Sequence, residues 1–81
     1  MNNELLIAKG KLADLERQYK TCEMKAESML IQLRELLNPY SEFLDLELEK
    51  ALLMVKEFRD LQLKAREISN HIYKIKATYN L

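Results

Sequence analysis

From Leu5 to Leu36 the apolar residues alternate in steps of three and four. They are Leu5, Ala8, Leu12, Leu15, Tyr19, Cys22, Ala26, Met29, Leu33 and Leu36. Such spacing draws a single narrow apolar stripe along a helix, the pattern of a coiled-coil seam. A stripe that narrow must be covered by a second helix. The chain supplies one: Leu44, Leu48, Ala51, Val55, Phe58, Leu61, Ala65, Ile68, Ile72, Ile75 and Tyr79 repeat the pattern. Its one irregularity is a pair of three-residue steps at Phe58, read as a stammer that overwinds the seam. Between the runs stands the only proline, Pro39.

Composition narrows the class further. One Gly and one Pro leave little turn chemistry for a β-rich fold. Apolar residues at 48% and charged ones at 32% suit neither a disordered chain nor a membrane span. The start "MNNELLIAKGK" has no basic residue ahead of its short apolar stretch, so a secretory signal is not expected. A single cysteine gives no internal disulfide and fits a reducing compartment, which makes the cytoplasm the expected location.

The expectation is an all-α fold: one domain over residues 1–81, an antiparallel two-helix hairpin resembling a coiled coil. Helix one should cover about 3–37, the turn about 38–41 and helix two about 41–79. Proline inside a helix costs about 3 kcal/mol, and the residue before it avoids the α region. Folding at Pro39 sets Leu36 against Leu44, Leu33 against Leu48, Met29 against Ala51 and Cys22 against Phe58. Further on, Leu15 meets Ala65 and Leu5 meets Ile75. The rival is one helix bent at Pro39 and paired between chains through the same heptads.

So small a hairpin leaves much apolar surface uncovered, and scaffolds of this size commonly oligomerise. The residues outside the seam concentrate in the turn half: Leu30, Ile31, Leu37, Leu46, Leu52, Leu53 and Met54 are the candidate interface. A homodimer forming a four-helix bundle is the expected assembly; a helix of another protein is the other candidate occupant.

Net charge is zero but unevenly placed. Residues 1–20 and 61–81 hold eight Lys/Arg against four Asp/Glu, whereas 21–60 hold five against nine. Lys64, Arg66, Lys74 and Lys76 at the basic end are candidate nucleic-acid contacts, with tyrosines nearby to stack on bases. The architecture is similar to that of Rop-like dimeric hairpins that bind RNA, although no residue motif carries the likeness. Small secretion chaperones also include helical hairpins. Catalysis is not expected. Glu42, Asp45, Glu47 and Glu49 read as a solvated face, Cys22 as a small seam residue, and His71 as a boundary or surface residue. No phosphate loop, HExxH, CxxC or nucleophile elbow is present, and no cofactor or metal is implied. The functional expectation is a non-enzymatic protein–protein interaction module, acting as a small regulator, adaptor or chaperone; the alternative is a nucleic-acid-binding helical dimer.

Overall fold

The computed structural model describes residues 2–81. Helix α1 runs Asn2–Leu36 and helix α2 runs Leu48–Tyr79; a short 3₁₀ turn at Phe43–Asp45 lies between them. The two helices pack along each other in a rod with principal extents of 64 × 15 × 14 Å. The chain is therefore an all-α helical hairpin, and the single bent helix is excluded.

Every expected seam position of α1, from Leu5 to Leu36, is buried or half-buried. Gly10 points outward, with nothing within 4 Å of where a Cβ would stand. On α2 the inward set is Ala51, Met54, Phe58, Leu61, Ala65, Ile68, Ile72 and Ile75. These positions alternate three and four without a break. Val55, Leu44, Leu48 and Tyr79, expected in the seam, are exposed, and Met54 takes the place assigned to Val55. The stammer does not exist. A regular heptad through Met54 needs no overwinding, so it is preferred to an irregular one through Val55.

Helix α2 also begins at Leu48 rather than near residue 41. Extending its heptad backwards from Ala51 would put Glu47 in the seam. Burying that carboxylate without a partner is costly, and like charges at Asp45 and Glu49 would face each other one turn apart. The chain instead leaves the helix. Asn38 starts a turn in which its side-chain Oδ1 accepts from the Tyr40 amide at 2.9 Å and its carbonyl accepts from Ser41 at 3.1 Å. Pro39 fits there because its fixed φ suits the second turn position. Glu42 and Leu46 are extended, and Leu46 is turned half inward.

The longer connection resets the register. Glu16 lies 3.9 Å from Lys76, and Leu15 shares a groove with His71, Lys74 and Ile75. The expected pairing put Leu15 beside Ala65, too far along the rod for either contact. A register one heptad beyond the expected one satisfies both contacts; it sets Leu36 opposite Ala51, Leu33 opposite Met54 and Met29 opposite Phe58. Ala26 then faces Leu61, Cys22 faces Ala65, Tyr19 faces Ile68 and Leu15 faces Ile72. This is a shift of one full heptad from the expected register. At the far end Asn80 adopts the left-handed conformation (φ 54°), and the Leu81 amide donates to the Lys76 carbonyl at 2.9 Å. Asn tolerates that conformation better than other side chains and closes the helix.

Candidate interaction surface

Among the described residues only Ala8, Cys22, Ala51 and Ile68 are buried, and three of these are small. Ile68 is the one large side chain among them; the other large seam residues, with Ala26 and Ala65, stay half-buried. One helix–helix seam covers one side of each helix and no more.

The Glu16–Lys76 pair identifies which positions share a flank. Each residue directly follows a seam position, Leu15 on α1 and Ile75 on α2. Along that flank α1 presents Lys9, Glu16, Glu23, Leu30 and Leu37. Helix α2 presents, in the same direction, Lys76, Ser69, Gln62, Val55 and Leu48. The flank is polar over the terminal half and wholly apolar over the turn half. Leu30, Leu37, Leu48 and Val55 are all exposed, and Leu52 beside them is 72% exposed. A solvated helix pair places charges at these positions; here they are leucine and valine.

The expected interface residues do not form one face. Leu30, Leu37 and Leu52 come together as described, joined by Leu48 and Val55, which had been assigned to the seam. Ile31 lies on the outward face of α1, and Leu53 on the outward face of α2 beside Leu52. Met54 belongs to the seam and Leu46 to its closure, both half-buried. The signal for this apolar flank was in the spacing: once Met54 is placed inward, Val55 falls on the flank.

Leu52, Leu53 and Val55 also line a shallow groove on α2, bounded by Glu49 toward the turn and by Lys56 and Arg59 toward the termini. A second groove, at the terminal end on the opposite flank, is lined by Ile7, Ala8, Lys11, His71, Lys74 and Tyr79, among others. It contains just one of the four candidate nucleic-acid residues, Lys74. Arg66 and Lys76 lie on the other side of α2, and Lys76 is paired with Glu16. The basic residues thus wrap around the helix rather than forming one phosphate-facing stripe.

Among the described residues no buried polar side chain lacks a hydrogen-bond partner, and no group of three His, Cys, Asp or Glu could hold a metal ion. Cys22 is a free, buried thiol, and His71 is exposed at the edge of the terminal groove. Among the described residues no helix is long and apolar enough to cross a membrane. Comparison of the chain with protein-family models, with curated proteins and with solved structures finds no match.

Proposed function

We propose that the hairpin is a non-enzymatic, cytoplasmic protein–protein interaction module, a small regulator, adaptor or chaperone, that self-associates through the apolar flank of its turn half into a four-helix bundle. The observation that carries this reading is the change of one flank from Lys9, Glu16 and Glu23 to Leu30 and Leu37, matched on α2 by Leu48 and Val55.

Surface area supports it. A compact monomer of 9.6 kDa exposes about 5,100 Å², whereas this chain exposes 7065 Å². The excess, roughly 2,000 Å², is more than the approximately 800 Å² each partner contributes to a standard interface. Covering the exposed parts of five branched aliphatic side chains is worth about 1 kcal/mol each. That sum outweighs screened repulsion between surface charges of a few tenths of a kcal/mol per pair.

Sedimentation of the wild type and of Leu30→Glu with Leu52→Glu tests the reading. The wild type should run as a dimer at tens of micromolar. The double variant should run as a monomer that melts earlier, because association and folding are linked. A wild-type monomer at that concentration would refute self-association.

A further inference from the structure

We infer that α2 carries a self-complementary stripe along the apolar flank, and that two copies of the chain meet there with their α2 helices antiparallel about a two-fold axis at the level of Leu52. The inference rests on the self-association proposed above and specifies its geometry. The groove on α2 has an acid at one end, Glu49, apolar residues Leu52, Leu53 and Val55 in the middle, and bases Lys56 and Arg59 at the other end.

A two-fold contact brings the same patch of each copy against itself, with residues exchanged across the axis. Rotation about an axis at the level of Leu52 brings Leu52 of one copy against Leu52 of the other and Val55 toward Leu48, whereas Leu53, about 100° round the helix, lies outside the contact. The same rotation sets Glu49 against Lys56, with Arg59 one turn further on. The Glu49–Lys56 pair occurs twice. Glu49 and Lys56 are both exposed and seven residues apart, so they project from the same side of α2, at the rim of the flank beside Leu52, where the two copies' charges can reach each other.

The flank leucines agree with this axis. At the level of Leu52, residue 35 lies opposite on α1, between Leu30 and Leu37. The same axis therefore passes between those two leucines and brings Leu30 of one copy toward Leu37 of the other. The rival two-fold, along the rod, would lay the helices of the two copies parallel. It would gather Glu42, Asp45, Glu47 and Glu49 of both copies at one end. The antiparallel arrangement separates those acidic turns and carries each one past the apolar patch to the bases of the other copy. Charge selects it.

The test is charge exchange in the full chain. Glu49→Lys sets three cations together at each end of the stripe and should weaken the dimer about tenfold, from the sum of lost attractions and new repulsions over both pairs. Lys56→Glu alone should also weaken it. Glu49→Lys combined with Lys56→Glu restores opposite charges across the axis and should return the dissociation constant to near the wild-type value. Any loss of helix stability from placing a lysine in the first turn of α2 would remain in the double variant, so recovery reports the contact itself. Oxidised Leu52→Cys in a Cys22→Ala background should form a disulfide between copies, since residues near a two-fold axis meet their own counterparts. A wild-type dimer that is indifferent to either reversal, or that loses affinity without recovery, would overturn this arrangement while leaving self-association standing. A monomeric wild type would overturn both.

Discussion

Ala65→Cys tests the interhelical register with a single substitution, because the chain already supplies the other thiol. Cys22 is buried in the seam and faces Ala65 in the register set by Glu16 and Lys76. Both side chains are small, so their layer allows the backbones to approach closely. A disulfide needs Cα atoms within about 7 Å. In the register expected from turn length alone, Cys22 would face Phe58, seven residues or about 10 Å further along α2. Only one of the two cysteine variants can then close. The ring formed by Cys22 and a cysteine at 65 spans some forty residues, for which loss of denatured-state entropy is worth about 4 kcal/mol. For a chain of this size that corresponds to a rise in Tm of roughly 15–30 °C at most. The assay is oxidation at low micromolar concentration, non-reducing mass analysis to separate intrachain from interchain bonds, and thermal melts with and without reductant. Efficient intrachain closure of Phe58→Cys, with none in Ala65→Cys, would refute the register and every layer derived from it.

Gly10→Ala should stabilise the protein by about 1 kcal/mol in a denaturant melt, since glycine is a poor helix former and the added Cβ meets open space; a loss of stability would mean that position 10 is not on the outward face. Ile68→Ala, deep in the seam, should cost about 2–4 kcal/mol. Leu44→Ala should cost about 0.5 kcal/mol or less in the same melt, because Leu44 is 89% exposed in the connection. Equal costs would return Leu44 to the seam.

Much of this molecule is written in local spacing. The three-and-four alternation from Leu5 to Leu36 determines which face of α1 is covered, because a helix has one geometry and such a stripe has one solution. The same holds on α2 from Phe58 to Ile75. Asn38 and Pro39 locate the break, for their side chains favour a turn whatever the rest of the chain does. At the turn end, however, Met54 and Val55 are adjacent and both apolar, so spacing alone permits two seams. Only packing against Leu33 and Leu36 chooses the regular one and sends Val55 to the flank.

Register is likewise a tertiary property. A heptad pattern repeats, so sliding one helix by seven residues preserves every apolar match, and the shorter turn satisfied the same rule. What decided the register was the connection between the helices. Glu47 cannot continue the helix into the seam, the chain crosses over in extended segments at Glu42 and Leu46, and the added length moves α2 by one heptad. The apolar flank followed from that choice. Leu30, Leu37 and Leu52 stood out together as unexplained apolar residues in the sequence, but their union with Leu48 and Val55 required both helices in place. Periodicity determines the face a helix buries, whereas only the fold determines which residues of two helices share a side.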